Sequence, residues 1–421
     1  MTSRTTDQAK SALRSLPRNV WVVSLTSFLT DISSEMIINL LPLFLASVLG
    51  VKTNVIGLIE GVAETTASLL KIVSGWLSDR LGQRKWLAVT GYGLSTVAKP
   101  FFYFVTSWWG VLALRFFDRV GKGIRTAPRD ALVADSIAEE HRGLAFGLHR
   151  AADTGGAMIG LLVALGVVWA AQSGALGLER STFQTVVLLS FVPALLAVLT
   201  LALGAREVKV AEGVDEGTKA TGHQVSLRGV MQGPFRGFLL IVALFTLGNS
   251  SDAFLILRAK ERGLSVVAIL AMVATFNGVY ALVSGPAGAL SDRIGRRRLI
   301  VGGWLTYGLI YLGFALVQTG WQVWVLYAIY GIYYGMAEGS ARALVADLVA
   351  PEHRGTGYGA YNTVVGMTAL PASLLAGLLW QGLGGWDGFG PSAPFLFGAV
   401  LALVAAALLW RWLPVYGKEA R

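Results

Sequence analysis

The residues able to do chemistry in this chain are ionisable groups standing inside long apolar runs. In the first half these are Asp31 and Glu35, then Glu60, Glu64 and Lys71, then Arg115, Asp118, Arg119 and Lys122, then Arg150 and Asp153. At 100° per residue, Asp31 and Glu35 lie about 40° apart on one helical face, as do Glu60 and Glu64. Arg115, Asp118, Arg119 and Lys122 share an arc of about 100°. An ionised group in apolar surroundings of membrane thickness costs about 2.5 to 3.5 kcal/mol on insertion scales, so such stripes must face one another or water. Carboxylates placed this way can carry protons, because desolvation favours the neutral form and an approaching cation the ionised one. The cationic groups favour an anionic or zwitterionic solute, whereas the acids would equally suit an organic cation.

A competing reading makes these groups buried ion pairs that only tie helices together. The second half of the chain argues against it for the set as a whole. At equivalent positions it has Asn277 for Glu64, Ser284 for Lys71, Tyr327 for Arg115, Tyr330 for Asp118, Gly331 for Arg119 and Tyr334 for Lys122. With Tyr280 and Tyr333 these form a polar aromatic face, which can be the second wall of a cavity or plain aromatic packing. Asp252 is the main acid within an apolar run of that half, and Glu338 is expected to cap a loop. Depth along the helices predicts Glu60 near Arg115, roughly 10 Å into the apolar layer, and Glu64 near Arg119, roughly 15 Å in. Glu35 is the preferred proton carrier, because Ser33-Ser34-Glu35 aligns loosely with Ser250-Ser251-Asp252 at an offset of 217, which matches Asp31 with Gly248. Asn39 shares the face of Asp31 and Glu35.

The elements that must position these groups follow from composition. With 54% hydrophobic residues, 14% charged residues and 51 glycines in 421 positions, the chain is too apolar for a soluble globule. Twelve runs reach the roughly 20 residues that a spanning helix needs, the first from Asn19 to Leu49 and the seventh from Phe235 to Leu257. The predicted class is an all-α integral membrane protein with twelve transmembrane helices. Residues 1–18 form a tail, 19–204 a six-helix bundle, 205–234 a polar linker, 235–414 a second six-helix bundle and 415–421 a second tail. The tails, the even-numbered loops and the adjoining span ends hold 24 of the 35 basic residues, which places both termini in the cytoplasm and the protein in the inner (plasma) membrane. The net charge of +10 is thereby a topology signal beside a lipid bilayer, and no stretch supports nucleic-acid binding.

Other chemistries lack their residues. Four histidines and no cysteine offer no metal cluster or nucleophile constellation, so no cofactor, metal or catalytic residue is expected and an integral-membrane enzyme is disfavoured. Gly121-Lys122-Gly123 lacks the spacing of a phosphate-binding loop, which leaves no ATP-driven pump. A passive pathway for lipid or ions, as a scramblase or channel, remains as the alternative to a carrier. His141 and His353, in cytoplasmic turns, are read as surface residues.

Two repeats organise the chain. Gly75-Trp76-Leu77-Ser78-Asp79-Arg80-Leu81-Gly82-Gln83-Arg84-Lys85 returns, offset by 213, as Gly288-Ala289-Leu290-Ser291-Asp292-Arg293-Ile294-Gly295-Arg296-Arg297-Arg298. Ala131-Leu132-Val133-Ala134-Asp135 returns as Ala343-Leu344-Val345-Ala346-Asp347, and Glu140-His141-Arg142-Gly143 as Glu352-His353-Arg354-Gly355, both offset by 212. A duplicated six-helix unit is the expected consequence. The first pair resembles the signature loop of the major facilitator superfamily, and Arg115 followed twenty residues later by Asp135 resembles its fourth-helix pattern. The glycine-rich fifth run (Gly143, Gly147, Gly155, Gly156 and Gly160) resembles the helix that lies between halves in the superfamily's antiporters, without their Gly-Pro pair.

The resemblance covers nearly the whole chain and implies a secondary active transporter. It would move a small solute by alternating access, driven by a proton or sodium gradient, as a monomer, in the manner of the bacterial drug exporters. It also implies that Gly75, Asp79, Arg80, Gly82 and Arg84, with Asp292, Arg293, Gly295 and Arg297, form gating loops on the cytoplasmic face, Asp79 acting beside Arg80 and Arg84, and Asp292 beside Arg293 and Arg297.

Overall fold

The computed structural model describes residues 16–138, 141–208, 233–350 and 353–412. Most of the first tail, most of the linker, the second tail, and Glu140 and Glu352 of the repeated turns lie outside the described residues, as do the side chains of Asp79 and Asp292.

The described residues form fourteen α-helices. They are α1 (Arg18–Ile38), α2 (Leu41–Ser47), α3 (Thr53–Leu81), α4 (Arg84–Phe101), α5 (Trp108–Asp135), α6 (Arg142–Gln172) and α7 (Arg180–Gly204), then α8 (Gly233–Gly248), α9 (Ala253–Glu261), α10 (Val266–Ile294), α11 (Arg296–Leu316), α12 (Gly320–Leu348), α13 (Arg354–Gln381) and α14 (Ala393–Trp412). Among the described residues the only β pairing is an isolated bridge between Leu383 and Trp386. Eight stretches are long and apolar enough to cross a membrane. The helices missing from that set are α3, α4, α5 and α12, and they carry most of the ionisable and tyrosine side chains singled out above.

The repeat is written into the element boundaries. α3 and α10 are both 29 residues long and begin 213 positions apart, while α4 and α11, and likewise α6 and α13, begin 212 apart. Two of the expected runs are broken helices. The first breaks at Asn39 and Leu40, where Pro42 opens α2 without a backbone N–H to offer α1 and with a ring that clashes with the preceding turn. The seventh breaks between Gly248 and Ala253, with Asp252 as the residue before α9. α2 and α9 begin 212 positions apart, so the breaks correspond. The offset of 217 is therefore corrected: Asp252 lies in a break and matches Leu40, whereas Glu35 lies within α1.

By their contacts the residues fall into two compact units. The first contains residues up to Ile38, Leu69–Val167 and Ser181–Gly213. One end of it is an apolar core of Val20 and Val23 from α1, Ala88 and Tyr92 from α4, Leu132 and Val133 from α5, Ala145 from α6 and Leu201 from α7. α4 and α5 meet backbone to backbone, since a Cβ on Gly121 would lie 2.5 Å from the Gly91 carbonyl oxygen and one on Gly91 would lie 2.6 Å from that of Gly121. Gly156 and Gly160 of α6 likewise admit the backbone of α1 at Phe28 and Ile32. These two glycines of the fifth run thus serve packing inside one unit. α7 turns Leu188, Val192, Leu195 and Leu199 outward on one stripe, a face suited to lipid.

The second unit contains Asn39–Ser68, Val168–Arg180 and the chain from Val214 onward. One of its seams joins the first half of α3 to α13. Thr53 N–H donates to Gln381 Oε1 at 2.5 Å, Asn54 Nδ2 to the Gly382 carbonyl at 2.8 Å and Thr65 Oγ1 to the Gly366 carbonyl at 2.7 Å. Between these bonds Gly57 and Gly61 face Ser373 and Leu370 with no room for a side chain. Small residues at helical spacing let the two backbones approach without unsatisfied polar groups.

Candidate functional site

The first unit gathers a buried polar cluster around the contact of α4 and α5. Because Gly91 and Gly121 bring these helices together, Ser95 of α4 donates to the Asp118 carbonyl at 2.9 Å and accepts from Arg125 Nη1 at 3.1 Å. The Arg125 guanidinium lies 4.5 Å from the centre of the Tyr92 ring, a cation–π contact. Arg119 Nε stands 3.8 Å from Asp118 Oδ2, and Arg115 and Arg119 are both buried. The other charges acting on Asp118 come from Lys99, Arg115 and Arg125. Lys99 is itself buried and donates to Ser33 Oγ at 2.5 Å and Ser34 Oγ at 3.2 Å, which ties α4 to α1.

Asp31 and Glu35 face this cluster from α1. The charges acting on Asp31 are those of Asp153, Glu35, Arg125 and Lys122, so α1, α5 and α6 converge on it. A turn or so away, Ser27 shares a hydrogen bond of 3.1 Å with the Tyr92 hydroxyl and accepts from Arg129 Nη1 at 3.3 Å. The structure therefore brings Asp31, Glu35, Arg115, Asp118, Arg119, Lys122 and Asp153 into one neighbourhood. Arg150 is exposed. Sequence reasoning missed Lys99, Arg125, Arg129, Tyr92 and His149. The available signal was position: each lies in or directly beside an apolar run.

In the second unit the site is aromatic. Tyr330 donates to Asp252 Oδ1 at 3.0 Å, and Tyr334 lies beside that carboxylate. Glu60 and Glu64 add their charges around Asp252. Tyr327, Tyr330 and Tyr333 are buried and packed on one another and on Phe276 and Tyr307, with neighbouring ring centres 4.9 to 5.8 Å apart. All three rings are in mutual contact, and Tyr330 has a polar partner in Asp252 besides. Asn277 is half-buried and donates to the Val273 carbonyl of its own helix. Glu338 lies inside α12 instead of capping a loop, accepting from the Tyr280 hydroxyl at 2.8 Å and pairing with Arg342.

The repeated loops form matching clasps. Gly82 and Gly295 adopt φ of +62° and +94°, a conformation that side chains resist, and each turns the chain into the next helix. Directly after each turn Arg84 pairs with Asp135 at 2.5 Å and Arg296 with Asp347 at 3.1 Å, joining the two repeated motifs inside each half. Arg142 and Arg354 continue the match, donating to the Ala134 and Ala346 carbonyls. Glu207 caps α4, accepting from the Arg84 and Lys85 backbone N–H groups at 2.7 and 3.1 Å, which satisfies donors that a helix start leaves open. At Gly75 α3 lies against Ala127 of α5, where a Cβ would stand 3.4 Å from the alanine methyl, an ordinary contact. Arg80 stacks over Trp76 and Arg297 over Trp410, while Arg293 is exposed.

Apolar helices in two matched halves, with ionisable groups buried between helices, define a multi-pass membrane transporter. The chain belongs to the Major Facilitator Superfamily, whose sequence profile matches residues 23–367 and 237–421. It is 36% identical over 405 residues to an uncharacterised MFS-type transporter of Methanocaldococcus jannaschii, covering 94% of this chain and 95% of that one. It is 24% identical over 362 residues to the multidrug resistance protein MdtG of Enterobacter lignolyticus, covering 83% and 80%. Among solved structures it is similar to a D-xylose-proton symporter, with a TM-score of 0.74 and 14% identity, covering 94% of this chain and 98% of that one. The protein is a secondary transporter and not an enzyme.

Proposed function

We propose that the protein exports a small organic solute in exchange for protons by alternating access, with its termini in the cytoplasm of a cell whose inner membrane it spans as a monomer. The observation that carries this reading is the gathering of Asp31, Glu35, Asp118 and Asp153 with Lys99, Arg119 and Arg125 between helices of the first unit. Carboxylates among cations can be loaded or unloaded with a proton when a conformational change alters their pairing. The likeness to a multidrug resistance protein supports export, and the distribution of Lys and Arg supports the orientation.

In this reading the substrate and coupling residues are Asp31, Glu35, Arg115, Asp118, Arg119, Lys122 and Asp153 in the first unit and Glu60, Glu64, Asp252, Asn277, Tyr327 and Tyr330 in the second. The loops around Asp79 and Asp292 act as gates. The test is uptake of ethidium and of a panel of labelled organic anions into proteoliposomes, with a proton gradient, a sodium gradient or neither. Gradient-dependent accumulation of one class under the proton gradient is expected. Accumulation under sodium alone overturns the coupling ion, and equal leakage of all probes without any gradient overturns the carrier reading in favour of a passive pathway.

A further inference from the structure

His149 is the buried titratable group for which the site described above has no use. It lies in α6 about 10 Å from the helix start, and Asp153 lies one turn further in. Its side chain is buried, and among the described residues neither ring nitrogen has a hydrogen-bond partner. Buried polar atoms are rarely left so, and an unmatched imidazole beside a carboxylate calls for an explanation. Nε2 stands 3.7 Å from Asp153 Oδ2, beyond hydrogen-bond length and within reach of a small side-chain rotation.

The surroundings give this pair a direction. α5 faces His149 with Arg129 and Asp130, and its own helix adds Arg150 and Asp153. α1 presents Ser27 to Asp153, and Ser27 is in turn bonded to Tyr92 of α4 and Arg129 of α5. Asp153 is also among the charges acting on Asp31. A line of polar groups thus runs from the start of α6 through His149 and Asp153 to Asp31, all within the first unit.

Resting on the proton-coupled reading above, we infer that His149 exchanges the coupling proton with Asp153 and so forms the proton's path between one membrane face and Asp31. In the transfer the Nε2–H bond of the imidazolium breaks and an O–H bond forms on Asp153 Oδ2. A cation and an anion become two neutral groups, so the pair keeps its net charge and the apolar helices gain none. The neutral imidazole then takes a new proton from the membrane face once Asp153 has passed its own on toward Asp31; in the opposite direction the Asp153 O–H bond breaks, the Nε2–H bond re-forms and the proton leaves to that face. Histidine suits the task because its ordinary titration range spans the pH on both sides of a cell membrane.

Two measurements test this on the full-length protein. The first follows the His149 ring proton by NMR in lipid nanodiscs, using His141→Gln, His223→Gln and His353→Gln together so that one histidine remains of the four. The resonance should titrate with pH, and its inflection should move when Asp153→Asn is added. A ring that does not titrate, or titrates identically with Asp153→Asn, overturns the inference. The second follows accumulation driven by a pH gradient of whichever probe, ethidium or organic anion, the unaltered protein concentrates. His149→Gln should reduce it about tenfold or more and flatten its pH dependence, while the three-histidine variant should match the unaltered protein. Full accumulation with an unchanged pH profile in folded His149→Gln overturns the inference. If the unaltered protein itself ignores the pH gradient, the proton-coupled reading fails, and the NMR titration still decides whether His149 and Asp153 share a proton.

Discussion

Arg84 Nε lies 2.5 Å from Asp135 Oδ2, and 212 positions later Arg296 Nε lies 3.1 Å from Asp347 Oδ2. In each half this ion pair closes the loop after the second spanning segment onto the C-terminal end of the fourth. An ion pair at a helix end can be exchanged between conformations. Asp135→Asn and Asp347→Asn should each lower transport turnover several-fold while substrate affinity stays within a few-fold, and the double variant should be worse than either. Asp79→Asn should behave alike if the loop gates. Unaltered turnover at normal expression, measured by initial rates in proteoliposomes, removes the gating role.

Arg115→Ala and Arg119→Ala should each abolish transport. Part of the loss should return when Glu60→Gln or Glu64→Gln is added, if the harm comes from an uncompensated buried charge. Normal transport by the single variants excludes the stripe from the site. Complete recovery in the double variants shows it to be structural.

Glu35→Gln and Asp31→Asn separate two carriers. The corrected register withdraws the match between Glu35 and Asp252, and Asp31 is the acid on which Asp153, Lys122 and Arg125 all act. Whichever residue carries the proton, its neutral variant should lose accumulation against a gradient yet retain counterflow exchange. A variant that still concentrates substrate under an imposed proton gradient excludes that residue as an obligatory carrier, and survival of coupling in both excludes the pair.

Gly121→Ala tests the placement of the cluster by packing alone. The added methyl would meet the Gly91 carbonyl oxygen and Ser95, and overpacking of this kind costs about 1 to 3 kcal/mol. A fall in thermal midpoint of several degrees and a loss of transport are expected. Gly93→Ala, where a Cβ has open space, is the control and should leave the midpoint unchanged or slightly raised. Equal effects of the two substitutions would show that the α4–α5 contact does not position the site.

The sequence by itself determined the class of protein. Length of apolar run, the two repeated motifs and the cost of charge in lipid are local or periodic properties, so the spans, the duplication and the superfamily resemblance could be read without coordinates. The same cost marked Asp31, Glu35, Asp118 and Asp153 as groups that needed company. Which company was a tertiary matter. Gly91 and Gly121 are two glycines among 51 until α4 and α5 are seen in contact, and that contact delivers Arg125 to Ser95 and Tyr92. The breaks at Asn39 and around Asp252 hid inside continuous apolar runs, because hydropathy does not register the backbone geometry that Pro42 imposes. Burial of Tyr327 and Tyr333 against other rings, and of His149 beside Asp153, depends on what the opposite helix presents. No spacing along one helix contains that information, since side chains are satisfied across helices whose sequence separation is large.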